Sequence, residues 1–415
     1  MPHAAPRTFR TPGESDLGLR RVANHTGLQV AVLPNACVFT IEHRHDGGRI
    51  MINQVEGSAL DGGIGRLFLR IAAPDATVAE MVGPGAEVAF GAGDDRFSWE
   101  GATGGMRHRV TLWLHPRHDL WMWRVDLTNS GVREVTCDAI LVQDIGLGER
   151  GFLMNNEAYA SQYIDHHVAA HPRCGPVIMS RQNLAQRGRH PWAAHGCLDG
   201  AASYATDAMQ LFGPAYRDAA RVGLTDAGLP GLRLQHEVAC AMIQSRPVVL
   251  RPGAQGTLTF FGLYQPDHAA ASSDGDLAAI DRVERAAADF SDRAAEAVVT
   301  ARSLVQDAAP VVALPLEEAA IAERWPERAH EERADGRLVS FFTPDGVHNR
   351  HVVLADKERA VARRHGAILR TGQSMLPDEA TMCATCWMHG VFAAQLTLGN
   401  TSLHKLFSVA RDPYN

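Results

Sequence analysis

Long apolar runs are missing from this chain of 415 residues. No stretch approaches the ~18 consecutive apolar residues of a membrane-spanning helix, so no membrane partner is expected. The amino terminus, MPHAAPRTFRTPGESD, lacks the apolar core of a secretory signal. Basic residues are not in excess: 40 Lys and Arg face 47 Asp and Glu, and the net charge of -7 argues against nucleic acid as a partner. Cysteine is sparse, with seven residues scattered along the chain. An odd, dispersed set fits reduced thiols in a cytoplasm better than a disulfide framework. Neither a P-loop nor a dinucleotide fingerprint occurs, and GxSxG elbows and HExxH helices are absent too. These absences set the expectation of a soluble, cytoplasmic protein. A hydrophobic content of 46% is ample for a core, and the length suggests two or three domains.

What is present, from about residue 28 to 264, is the alternation of β-structure. Trp121, Trp123, Val125 and Leu127 share one face of a strand, and Met122, Arg124 and Asp126 the other. Arg107 to His115 alternates similarly, and the Pro-Arg-His-Asp turn between the two runs predicts a hairpin. Further strands are expected over Glu134 to Asp144, Arg233 to Gln244 and Gly256 to Gln265, with turn residues between them. Many short strands without regularly alternating helices predict a large antiparallel β-sandwich and disfavour a βαβ nucleotide-binding fold.

The pattern changes at Ser272-Ser273-Asp274. From Asp276 to Val305 the apolar residues Leu277, Ile280, Val283, Ala287, Phe290, Ala294, Val298, Ala301 and Val305 recur every three or four positions. That spacing predicts one connector helix about 45 Å long, with Asp281, Arg285, Asp289, Asp292, Arg293 and Glu296 on its wet face. A mixed segment follows. Near the end, Pro377, Asp378 and Glu379 suit a first helical turn, Gly399-Asn400 a helix stop, and Thr401 or Ser402 the next cap. Two helices joined by a turn cannot bury their faces alone, so a larger α-domain is expected to follow.

Three constellations carry possible chemistry. The segment Asn155 to His167 concentrates Glu157, Tyr159, Gln162, Tyr163, Asp165, His166 and His167 with little aliphatic filler. Planar hydrogen-bonding groups suit sugar hydroxyls, and aromatic faces suit sugar C–H faces. The alternative is a polar loop that seals the end of the sandwich. The segment His365 to Glu379 places His365, Arg370, Gln373 and Asp378 at the entry to the helical region. The first three suit phosphate or sugar, while Asp378 and Glu379 serve equally well as helix-dipole partners. Cys383-Ala384-Thr385-Cys386 has no second ligand pair at zinc spacing, so no metal is expected.

Several motifs in order carry a family resemblance: NEAYASQYIDHH, Arg181 to Asn183 with Pro191-Trp192, Arg233 to Glu237, SFFTPD with HVVLADKE, and HGAILRTGQSMLPDE. Together they resemble the 1,2-β-oligoglucan phosphorylases of glycoside hydrolase family 94. The resemblance implies a mainly β protein. Its galactose-mutarotase-like supersandwich, here at residues 28–270 after an extension at 1–27, leads to a helical linker at 271–310. A connecting segment at 311–359 and the first helices of an (α/α)6 barrel at 360–415 follow. It implies reversible phosphorolysis with inversion, yielding α-glucose 1-phosphate, with a glucooligosaccharide and inorganic phosphate as ligands and no other cofactor. The general-acid aspartate is expected beyond Asn415, so no catalytic residue is assigned here. The barrel would then be supplied in cis or in trans, and the chain alone is expected to be inactive. A non-catalytic carbohydrate-binding sandwich is the competing expectation.

Overall fold

The computed structural model describes residues 18–45, 48–57, 63, 65–156, 158–212, 222, 228–235, 238–300, 309–311, 318–334, 336–345, 348–353 and 368–370. The strand Leu120–Asn129 organises the sandwich. Trp121, Trp123, Val125 and Leu127 enter one core while Leu120 and Met122 enter another on the opposite face. This is the consequence of the two-residue side-chain period of a strand whose neighbours cover both sides. It pairs antiparallel with Met106–Leu114, forming the hairpin read from the alternation, and with Gln255–Gln265 on its other edge.

Among the described residues these strands belong to a nine-stranded sheet. Its order is Ile164–His171, Gly175–Gln182, Trp192–Cys197, Gln255–Gln265, Leu120–Asn129, Met106–Leu114, Arg96–Thr103, Val88–Ala92 and Glu296–Val298. Facing it is a sheet of Ala201–Asp207, Ala239–Ser245, Val135–Asp144, Arg66–Ala73 and Thr77–Val82, with Val248–Leu250 paired beside Val135–Asp144. Ala139, Leu141, Leu67, Leu69 and Ile243 from this sheet join Trp121 and Trp123 in the main core. A third sheet, Arg20–Ala23, Leu28–Val32, Val38–His45, Gly48–Met51 and Gly148–Glu149, adds Leu28, Val30, Ile41 and Ile50. The strand expected from Arg233 begins only at Ala239, because Arg233, Leu234 and Gln235 bond to neighbouring segments instead.

Two short helices, α1 (Arg150–Asn156) and α2 (Ala158–Gln162), lead into the edge strand Ile164–His171. The long connector helix does not form. A 3₁₀ turn at Asp274–Ala279 runs into α3 (Ile280–Ala287), which is followed by the strand Glu296–Val298, paired with Val88–Ala92. The apolar stripe is real as far as Phe290: Ile280 and Val283 are buried, and Leu277, Ala286, Ala287 and Phe290 pack with them on Trp113, Met122, Val177, Met179, Trp192 and Phe261. Phe290 then closes the helical run. Its ring meets the edge of Trp113 at 5.6 Å and lies under the guanidinium groups of Arg96 and Arg124, at 5.4 and 5.2 Å. Arg96 also donates to the Ser291 carbonyl at 2.6 Å, which draws the chain off the helical path. The acids expected on a wet face are engaged: Asp289 pairs with His115 and Arg117, and Asp292 with Arg109.

Farther along, α4 (Glu318–Arg324) and an antiparallel sheet of Ala329–Ala334, Arg337–Asp345 and His348–Val353 share a small core of Ile321, Leu338, Phe341 and Trp325. Ala309–Val311 pairs with Ile368–Arg370.

The nine-stranded sheet is tightest where Trp121 and His195 flank Gly262 in register. A Cβ on Gly262 would fall 2.0 Å from the Trp121 ring carbons Cε2 and Cζ2. Overpacking of this kind costs ~1–3 kcal/mol, so Gly262→Ala should lower the urea midpoint correspondingly. An unchanged midpoint would mean that the indole moves aside without cost.

Candidate functional site

The corner where α2 meets the strand Ile164–His171 gathers most of the first constellation. The approach is constrained: Leu147 sits at φ +49°, and a Cβ on Gly146 would meet the Gln54 Cα at 2.7 Å. One side of α2 is fastened to the sandwich. Ala160 is buried, and Ser161 donates to Gln54 Oε1 at 2.8 Å while accepting the Ala239 N–H at 3.1 Å. Helical spacing therefore turns Tyr159 and Gln162 outward, and Tyr159 is 57% exposed. Tyr163 follows, 40% exposed, with its carbonyl accepting from Asn183 N–H at 2.7 Å and its ring 6.4 Å from that of Phe152.

Asp165 lies on the strand and accepts from Gln235 Nε2 at 3.0 Å. Gln235 and Arg233 also donate to the His166 carbonyl, at 3.2 and 2.8 Å. The expected polar loop is thus two short helices and a strand, and Tyr159, Gln162, Tyr163 and Asp165 border it. Arg233 and Gln235, expected within a strand from their sequence, join this border instead. Exposed Leu184, Leu232 and Leu234 belong to the segments that meet here. The corner combines aromatic faces with carboxylate, amide and guanidinium groups.

His166 is not part of that surface. It is 1% exposed, with Nδ1 2.9 Å from Ser180 Oγ across the strand pair, so alternation turns it into the sandwich. Glu157, His365, Gln373 and Asp378 lie outside the described residues. Arg370 ends the strand Ile368–Arg370, paired with Ala309.

Behind the corner is a polar interior that sequence reading missed. Asp144 Oδ2 accepts the backbone N–H groups of Gln54 and Val55, at 2.9 and 2.8 Å. His43 Nε2 is 3.1 Å from Asp119 Oδ1, and its ring centroid lies 4.9 Å from that of Tyr264. Burial, helped by the Asp119 carboxylate, pushes the Tyr264 hydroxyl well above its ordinary value. His195 is fully enclosed, edge-on to Trp121 at 5.5 Å, and among the described residues neither ring nitrogen has a hydrogen-bond partner.

Residues 31–262 match the family model described as the SOGP N-terminal domain. The chain belongs to this family. A second match, over residues 325–415, is described as a glycoside phosphorylase supersandwich domain. It takes in the three-stranded sheet of Ala329–Val353 and also residues 360–415, where the sequence reading expected a helical barrel to open. The chain is 30% identical over 368 residues to 1,2-beta-oligoglucan phosphorylase of Listeria innocua, covering 88% of this chain and 32% of that protein. It therefore spans about a third of the length of the curated relative. Among solved structures, a bacterial glucoamylase complexed with acarbose has a TM-score of 0.37 at 9% identity, covering 64% of this chain and 34% of that one. A galactose mutarotase related enzyme of Lactobacillus acidophilus has a TM-score of 0.30 at 9% identity, covering 61% of this chain and 100% of that one. The family assignment and the observed strands agree on a mainly β sandwich followed by a short helical region. No helix among the described residues is long and apolar enough to cross a membrane.

The buried interior generates a prediction with two opposing signs. Burial pushes the Asp144 carboxyl from 3.8 up to about 6, against the pull of the Val55 and Gln54 amides. Its protonated form is favoured by folding, so that stability is complete below the lower value and is lost as pH rises through the higher. Two units correspond to ~3 kcal/mol. Burial, with a smaller push from His166, drives His195 from 6.5 down to about 3. Its contribution is complete above the higher value and is lost as pH falls. Urea midpoints between about pH 4 and 6.5 should therefore show Asp144→Asn gaining on the parent chain as pH rises, and His195→Phe gaining as pH falls. Differences that do not change with pH would contradict both assignments.

Proposed function

We propose that this chain supplies the amino-terminal sandwich of an inverting phosphorylase that acts on β-1,2-linked glucooligosaccharides. Inorganic phosphate would attack the anomeric carbon of the terminal glucose while a carboxylic acid protonates the departing oxygen, giving α-glucose 1-phosphate. The observation that carries this reading is the similarity along 88% of the chain to a protein named 1,2-beta-oligoglucan phosphorylase. The β-1,2 linkage preference rests on that relative's name and on the sequence resemblance.

A general acid needs both a raised pKa and access to the leaving oxygen. Asp144 meets the first requirement and fails the second: it is 1% exposed, and Oδ2 is held by two backbone amides. Its role is structural, and no catalytic acid is assigned among the described residues. The sheet of Ala329–Val353 supports reading residues from 325 onward as the opening of the supersandwich domain. A catalytic (α/α)6 barrel would then belong to the part of the relative that this chain does not span. The sandwich's part in the reaction is sugar contact, at the corner bordered by Tyr159, Gln162, Tyr163 and Asp165.

A non-catalytic carbohydrate-binding sandwich is the second reading, favoured by the two exposed tyrosines at that corner. One set of measurements addresses both. The 415-residue chain, given sophorotriose and phosphate, should release no glucose 1-phosphate. Turnover would overturn the assignment of the chemistry to another domain. Sophorotriose binding, followed by calorimetry, should weaken by ~2- to 10-fold in Tyr159→Ala and Tyr163→Ala, as loss of an aromatic contact implies. Binding that is unchanged in both variants would remove the corner as the sugar site.

A further inference from the structure

At the other end of the strand Ile164–His171, away from the corner, three side chains of metal-ligating type converge. A ring nitrogen of His171, the Cys174 thiol and a Glu284 carboxylate oxygen all lie within 4.8 Å of one another. His171 ends the first strand of the hairpin Ile164–His171/Gly175–Gln182, Cys174 is the last residue of its turn, and Glu284 comes from α3. His171 is 6% exposed and Cys174 fully buried. One helical turn before Glu284, Asp281 Oδ1 lies 3.5 Å from His171 Nε2.

We propose that His171, Cys174 and Glu284 form a divalent-metal site of the zinc class, with Asp281 orienting the histidine, which clamps α3 to the edge hairpin. The donor set is one imidazole, one thiolate and one carboxylate, a combination that zinc accepts with a fourth position left to water. The tautomer is suitable. His171 Nδ1 accepts the Cys174 backbone N–H at 3.2 Å, so the ring proton resides on Nε2, toward Asp281. A carboxylate on the far nitrogen is the usual outer partner of a metal-bound histidine. Nδ1, beside Cys174, is then the ligand atom, and the metal takes over from its long contact with the Cys174 N–H. The thiol gives up its proton to solvent on binding. Bonds of ~2.0–2.3 Å to zinc require donor atoms ~3.5 Å apart, which small rotations of Cys174 and Glu284 supply. Arg173 competes for the site: its guanidinium pairs with Glu284 and is largely exposed, so a cation must displace it into solvent.

The test is a Co²⁺ titration of the reduced full chain, read by absorption, with Zn²⁺ back-titration and metal analysis. One equivalent should bind, with a thiolate-to-cobalt charge-transfer band and the intense visible bands of a four-coordinate ion. Zn²⁺ should abolish both and raise the thermal midpoint. The band should vanish in Cys174→Ser and persist in the double variant Cys383→Ser/Cys386→Ser. The reverse would place the metal on the CxxC pair and overturn the proposal, as would the absence of any band. Asp281→Asn keeps every ligand and should weaken Co²⁺ binding ~10- to 100-fold. Arg173→Ala should tighten binding, because the competing cation is gone. Unchanged affinity in both of these variants would also refute the site, whether or not Cys174→Ser folds.

Discussion

Around Trp121 the nine-stranded sheet is covered on both faces, and there its central strand has no side from which polar groups can escape to water. Leu120, Trp121, Met122 and Trp123 are consecutive and all buried, two facing the main core and two the core beneath α3. Burying four such residues in a row requires that a second sheet and the 274–298 connector be in place together. The connector is thus the outer layer of the sandwich, and no free tether. Its apolar stripe ends where the sheet has no more apolar surface to offer, at Phe290 beneath two arginines.

Charge distribution follows the same constraint. Along the connector, four acids meet His or Arg side chains of the sheet and its turns: Asp274 with His167, Asp281 with His171, Asp289 with His115, and Asp292 with Arg109. Each pair is partly exposed and individually weak. In a row they fix the lateral position of a segment whose apolar contacts alone would let it slide. Within the sandwich, by contrast, polar side chains must be satisfied locally, as Asp144 is by two amides, or stay neutral, as His195 does.

The sequence was legible where one signal governed the outcome. Alternation around Trp121 and the turn after His115 marked the central hairpin, because burial on both faces and a short connection leave few alternatives. Two readings failed for a common reason: local pattern was extended past the point where tertiary contacts take over. The three-to-four periodicity through Val305 looked continuous because Ala294, Val298 and Ala301 fall on the stripe. Pairing of Glu296–Val298 with an open sheet edge satisfied the backbone instead. Polar density at Asn155 to His167 suggested a loop, yet anchoring of Ser161 and Ala160 makes part of it helical and sends His166 inward. The His171–Cys174–Glu284 cluster was invisible because Glu284 comes from a distant segment whose docking no local spacing encodes.

The edge strand Ile164–His171 links the tyrosine corner to this cluster and also separates them. At ~3.3 Å per residue, Asp165 and His171 are ~20 Å apart along the strand, too far for an ion at one end to touch a sugar at the other. A metal at His171 therefore cannot act as a Lewis acid toward a ligand at Tyr159. What it can do is hold the hairpin against α3, and the same hairpin carries Asp165 and, through Arg181 and Asn183, the segment that hydrogen-bonds Tyr163. Rigidity at the far end of an edge strand limits how far its near end can move. Among the described residues the corner lies on the outermost strand of its sheet, and Ile164 and the anchored Ala160 and Ser161 fix its inner side. A clamp beyond it would add to the restraint that burial already places on this hairpin, through Ile164 and Ile178 beside Trp121 and through Ala169 and Val177 beside Met122.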